Sequence, residues 1–140
     1  MIRIEYAPGR ARGEGRLAEA LVRRTARVVS KALRLKGSFV VSIALVDAPS
    51  MHRLNKAFRG KDAVTDVLSF TYGEREMFGE ILICPSQARK QARSAKRSLK
   101  KEMLELLVHG LLHVFGYDHL KPQDARVMLP LQERLLKNLV

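Results

Sequence analysis

An eleven-residue block, His109-Gly110-Leu111-Leu112-His113-Val114-Phe115-Gly116-Tyr117-Asp118-His119, constrains this chain more than any other stretch, because it holds three of the four histidines. His109 and His113 are four residues apart. On an α-helix that spacing is about 40° of rotation and about 6 Å of rise, so both imidazoles leave one face. Gly116 follows three residues later, where a glycine in the left-handed conformation ends a helix. The chain can then reverse and bring His119 back toward the pair. Two helical nitrogens and a third after a glycine turn match the donor set of a catalytic zinc centre, whose fourth position is left to water. A helical histidine pair alone also suits a core hydrogen bond or a solvated surface. The third histidine favours metal.

Gly110 stands where zinc proteases of the His-Glu-x-x-His type carry their general base. A glycine exchanges no proton and costs about 1 kcal/mol relative to alanine inside a helix. Its expected use is to let another backbone or a substrate come close. The usual zinc-protease route to peptide hydrolysis is therefore disfavoured.

The 140 residues suffice for one domain, 1–140, with a single core. No apolar run approaches the ~20 residues that cross a bilayer, so no membrane association is expected. The start, Met1 to Tyr6, lacks the apolar run of a signal peptide and reads as a strand. One cysteine, Cys84, allows no internal disulfide, which suits a reducing cytoplasm. The net charge of +12, from 26 basic and 14 acidic residues, favours a polyanionic partner. Aromatic content of 6%, with no tryptophan, argues against a stacking platform for single strands.

Periodicity predicts a helix over 16–36 with a stripe of Leu21, Thr25, Val28, Ala32 and Leu35, stopped by Gly37. Phe39 to Val46 reads as a central strand covered on both faces. Asp47 to Ser50 opens a short helix with Met51, Leu54 and Phe58 on one side, ending near Arg59-Gly60. Val64–Tyr72 and Phe78–Cys84 read as strands joined by the five residues Gly73 to Met77, a hairpin length. Pro85-Ser86 opens a helix with Ala88, Ala92, Ala95 and Leu99 on one side and basic residues from Arg89 to Lys101 on the others. That basic face suits either solvent or nucleic acid. Met103, Leu107, Gly110 and Val114 carry an apolar stripe through the histidine helix. A last helix, about 122–139, places Val127, Leu131 and Leu135 four apart. His52, on the short separate helix, is expected in solvent. The expected architecture is an α+β domain: a four-stranded mixed sheet packed with about five helices, with the metal site on a helix–glycine-turn segment.

The second unusual stretch runs from Leu54 to Phe70, where a helix ends in Arg59-Gly60-Lys61-Asp62 and a strand opens with Thr65-Asp66. Arginine's planar fork matches two phosphate oxygens, so Arg59 reads as a phosphate clamp or as a surface residue. Asp66 could orient that fork, contact a histidine, or accept backbone donors at the strand start. Together, Arg59-Gly60-Lys61-Asp62, Thr65-Asp66-Val67-Leu68-Ser69-Phe70, Gly79-Glu80-Ile81-Leu82-Ile83 and the block His109 to His119 resemble the signatures of the YbeY family of bacterial metal-dependent endoribonucleases. Two departures are Glu80, where that family more often has aspartate, and Ala63-Val64, where lysine-proline or similar is common. Neither touches the histidines.

The resemblance implies one metal, usually zinc, held by His109, His113 and His119, with Arg59 as the functionally important arginine. It implies cleavage of single-stranded RNA in the maturation of small-subunit ribosomal RNA, including its 3′ end, and hence ribosomal partners. A monomer is favoured. In such a site the cation can lower the pKa of its water to about 7. The resulting hydroxide attacks phosphorus or deprotonates a ribose 2′-hydroxyl, and Arg59 holds the phosphate. Asp118 is a candidate partner for a ligand or a cap for the turn. The competing class is a non-catalytic, metal-containing, RNA-binding ribosome-assembly factor. Structural zinc sites, however, usually take four protein ligands, and Cys84 is expected to be a buried, inert thiol.

Overall fold

The computed structural model describes residues 1–140. Its elements run β1 (Ile2–Ala7), a 3₁₀ turn (Gly13–Gly15), α1 (Glu19–Ala32), β2 (Phe39–Leu45), α2 (Ala48–Arg59), β3 (Val67–Glu74), β4 (Met77–Ile83), α3 (Pro85–Ser94), α4 (Leu99–Val114) and α5 (Pro122–Lys137). The strands form one mixed sheet in the order β1-β2-β4-β3. β1, β2 and β4 are parallel, and β3 returns antiparallel to β4 as an edge strand. The expected α+β architecture, with four strands and five α-helices in one domain, is what forms. No helix is long and apolar enough to cross a membrane.

The pairing register puts Ile4, Val41, Gly79, Ile43, Ile81, Leu45 and Ile83 on one face. Across that face lies α4, with eleven of its 16 residues buried. The expected stripe of Met103, Leu107, Gly110 and Val114 is buried throughout. Each fully buried Met, Leu or Ile side chain in this layer contributes roughly 1.5–3 kcal/mol. Gly110 admits neither backbone nor substrate: a Cβ there would lie 2.8 Å from Cγ2 of Ile81. A Cβ on Gly79 would collide with the Val114 side chain and sit 3.0 Å from the Phe70 carbonyl oxygen. The two glycines bring helix and sheet together, so Gly110 serves packing.

The other sheet face is covered only in part. Under α2, Met51, Leu68, Leu82 and Cys84 form a small second core. The expectation that β2 is covered on both faces therefore holds for one: Val41, Ile43 and Leu45 are buried, while Val40, Ser42 and Ala44 are half-buried.

Several boundaries differ from the sequence reading for identifiable reasons. The first long helix spans 19–32, because Arg34 takes φ +52° and ends it before Gly37 is reached. Its buried face is Val22, Thr25, Ala26 and Val29, one position round from the expected stripe. The basic segment 89–101 is two helices. Lys96, at φ +54°, closes α3, and Ser98 opens α4 by accepting from Lys101 N–H at 3.1 Å. Arg97 leaves the basic face to pair with Glu102 and Glu105 at 3.3 and 2.6 Å. Only Arg75 and Glu76 separate β3 from β4, with Glu74 paired to Met77 and an irregularity after Thr71. Val127 is 59% exposed, and α5 packs through Met128, Leu131, Gln132, Leu135 and Leu136 instead.

Candidate metal centre

The histidine helix ends as its glycine predicts. Gly116 has φ +99°, its N–H bonds to the His113 carbonyl at 3.0 Å, and Tyr117 N–H bonds to the Leu112 carbonyl at 3.0 Å. This paired closure is the Schellman turn. It swings residues 117–119 back along the helix. Asp118 fixes the returning segment: its Oδ1 accepts from the backbone N–H of His119 at 2.6 Å and of Leu120 at 3.3 Å. Those bonds hold the Asp118 carboxyl below its usual pKa. Capping is thus its structural role, and its Oδ1 lies 3.7 Å from Nδ1 of His119.

The three imidazoles meet. One ring nitrogen from each of His109, His113 and His119 lies within 4.8 Å of the others. Ring centroids are 4.5, 5.0 and 5.1 Å apart. Nε2 of His109 and Nε2 of His113 face each other at 3.0 Å. Two nitrogens bound tetrahedrally to zinc at about 2.05 Å stand about 3.3 Å apart, so the pair needs only a small adjustment.

The donor chemistry fits a cation as well. Nδ1 of His109 lies 2.7 Å from Oε1 of Gln132, an acceptor, so Nδ1 carries the proton and Nε2 a lone pair. A cation between Nε2 of His109 and Nε2 of His113 would take a lone pair from each neutral ring. Burial first, then repulsion from His109 and His119, lowers the pKa of His113 and keeps it in the neutral, ligating form at pH 7.

Gln132 was not singled out in the sequence, and it lies 23 residues from the histidine it orients. Its Nε2 donates to Oε1 of Glu105 at 3.3 Å, and Arg97 holds the other Glu105 oxygen. The chain Arg97–Glu105–Gln132–His109 thus fixes the His109 ring. Such partners orient a ligand and set its basicity, and their loss typically weakens metal binding 10–100-fold. Gln132→Leu is expected to do so in a metal titration of purified protein. Unchanged affinity would remove Gln132 from this role.

The centre lines one wall of an open cleft of about 500 Å³, shared with Asn55, Arg59, Thr65, Asp66 and Ser69. Arg59 is placed there by the end of α2. Asp47 caps the start of that helix by accepting from Ser50 N–H at 2.8 Å, and Gly60 closes it at φ +69°. Nη2 of Arg59 donates to the Ser69 carbonyl at 2.7 Å, on edge strand β3. Asn55, 4% exposed, ties the following loop down by donating to the Ala63 carbonyl at 2.9 Å.

Asp66 takes the third of its three readings. Its Oδ1 accepts from Val67 N–H at 2.8 Å, and its Oδ2 from Nε2 of Gln91 at 3.2 Å. It contacts neither Arg59 nor a histidine through a hydrogen bond. Thr65 Oγ1 donates to the same Asp66 Oδ1 at 3.3 Å, and β3 starts at Val67 rather than Val64. Cys84 is fully buried just after β4, at the start of α3. His52 is half-exposed and paired with Asp62 at 2.5 Å, away from the cleft.

Fold and site together define an α+β domain that presents three converging histidines, a set that could hold a metal ion, to an open cleft that Arg59 also lines. The family model described as Endoribonuclease YbeY matches residues 11–140. The chain belongs to the YbeY family of endoribonucleases. An Endoribonuclease YbeY of Myxococcus xanthus is 40% identical over 133 residues, covering 90% of this chain. The chain spans 45% of that relative's length. A Thermotoga sp. Endoribonuclease YbeY is 35% identical over 129 residues, covering 89% of this chain and 84% of the relative. The solution structure of a Thermotoga maritima protein superposes with a TM-score of 0.67 at 30% identity, covering 99% of this chain and 89% of the other.

Proposed function

We propose that this chain is a metal-dependent endoribonuclease that cuts single-stranded RNA. In this reading His109, His113 and His119 hold one Zn²⁺ or similar divalent cation, and Arg59 holds the phosphate at the scissile bond. The observation that carries it is the convergence of three imidazole nitrogens within 4.8 Å in a cleft that Arg59 also lines. Its physiological role is the maturation of small-subunit ribosomal RNA, including its 3′ end, and ribosome quality control in the cytoplasm. The family and the excess of 12 positive charges support that assignment.

A divalent cation on three neutral imidazoles supplies Lewis acidity toward a phosphoryl oxygen and lowers the pKa of water that it binds. The protein's own groups do the rest. Gln132 keeps the His109 proton on Nδ1, away from the site, and the burial of His113 keeps that ring neutral. Arg59 commits one donor to the Ser69 carbonyl, which fixes its fork, and offers its remaining N–H groups to phosphate. Charge growing on the phosphoryl oxygens is thereby met by a guanidinium already in place, at no cost of reorganisation. The nearby carboxylates Asp66 and Asp118 are occupied by backbone N–H groups and hold the cleft's walls in position.

The test is cleavage of a single-stranded oligoribonucleotide. Activity is expected to vanish with a chelator and return with added Zn²⁺ or another divalent transition metal, while a duplex of the same sequence resists. RNA binding with no cut product under every metal would support the non-catalytic assembly factor instead.

A further inference from the structure

Composition alone predicts no stacking platform, yet the exposed aromatics gather beside the cleft. Phe58 is 62% exposed and Tyr72 54%. Phe58 sits in the last turn of α2, next to Arg59. Phe70 pairs across the sheet with Glu80, and the Tyr72 hydroxyl reaches that same Glu80 side chain, which brings Tyr72 to the face of Phe70. Phe70 lies between the other groups: its ring meets Phe58 edge-on at 5.6 Å, and the Arg59 guanidinium lies 5.0 Å from its centroid. Tyr72 is steadied by donating its hydroxyl to Glu80 Oε1 at 3.1 Å. Phe70 packs, half-buried, against the second core of Met51, Leu68, Leu82 and Cys84, which anchors it beneath the exposed Phe58.

Resting on the RNA reading above, we infer that Phe58, Arg59, Phe70 and Tyr72 form a base-stacking subsite that receives an unpaired nucleobase next to the scissile phosphate. Continuity decides the occupant. Arg59 belongs both to the catalytic cleft and to the aromatic cluster, so a strand whose phosphate reaches the guanidinium carries its neighbouring base onto the rings. Charge agrees, since Lys61 lines the same cleft in a chain of net charge +12, while Lys56 faces Asp62 at 3.9 Å. Stacking on phenyl rings tolerates every base, because each has a π-face, and arginine planes stack in the same way. A paired base cannot offer that face. The subsite therefore supplies selection for single strands without a sequence code.

The experiment uses a short single-stranded oligoribonucleotide carrying 2-aminopurine, bound in the presence of chelator so that binding is read without cleavage. Wild-type protein is expected to quench the fluorescence by stacking. Phe58→Ala combined with Tyr72→Ala should abolish the quenching and weaken binding about tenfold. In metal-loaded protein the same double variant should raise KM about tenfold and leave kcat within about twofold. Phe58→Tyr with Tyr72→Phe should restore both, which separates a lost ring from a lost fold. An oligoribonucleotide with an abasic site at the stacking position should bind wild type and double variant equally.

Unaltered quenching and KM in the double variant would overturn the subsite, as would a concentration-dependent dimer lost in the variant with RNA binding intact. The two readings fail separately. Ring-dependent quenching without any cleavage would keep the subsite and remove the nuclease, whereas cleavage indifferent to the rings would do the reverse.

Discussion

Replacing His113 with alanine should lower RNA cleavage by about a thousandfold or more and strip the metal from the purified protein. Of the three imidazoles, His113 is the one whose Nε2 directly faces that of His109, at 3.0 Å. Its removal leaves one helical nitrogen and His119, whose side chain is 41% exposed on an irregular segment. Lewis-acid stabilisation of a phosphoryl transition state is worth several kcal/mol, and each ~1.4 kcal/mol is a factor of ten in rate. The fold should survive. His113 is only half-buried, and α4 is held by eleven buried residues. Metal content by mass spectrometry, a melting curve and a cleavage assay on one preparation read the three quantities together. A folded His113→Ala protein that cuts at the wild-type rate would end the metal-catalysis reading.

Arg59→Ala should behave differently. The metal stays, because Arg59 bonds to the Ser69 carbonyl and to no histidine. What is lost is a preplaced donor for charge that develops on the phosphoryl oxygens, an effect of about 10²–10³ in kcat where such donors have been removed. Arg59→Lys should recover only part of that. An ammonium is a point charge and reproduces neither the planar fork nor its place over the Phe70 ring, 5.0 Å from the centroid. Steady-state kcat and KM with a metal count on each variant separate this role from metal binding. An unchanged kcat in the alanine variant would show that another group holds the phosphate.

The centre of the site was readable in the sequence because its signal is local. A four-residue histidine spacing, a glycine at the turn and a histidine beyond it all lie within eleven residues, and helix geometry converts that spacing into convergence. Gln132 was not readable, since nothing near it says that α5 will lay it against His109. The aromatic cluster was hidden for the same reason, its members coming from α2 and β3. Helix ends were legible where glycine marks them, at Gly60 and Gly116. They were missed where Arg34 and Lys96 adopt the same left-handed conformation at some backbone cost, with the tertiary fold compensating. In α1 the pairs Leu21-Val22 and Val28-Val29 offer two apolar stripes about 100° apart, and only packing against the sheet decides that Val22 and Val29 face inward. Gly110 was recognised as a close approach, but the neighbour proved to be the Ile81 side chain.

X-ray absorption at the metal edge of zinc-loaded protein tests the account most directly. Three imidazole nitrogens and one oxygen from solvent, all at about 2.0–2.2 Å, are the expected shell. A sulfur at about 2.3 Å, which only Cys84 could supply as thiolate, or a spectrum without imidazole scattering, would contradict it.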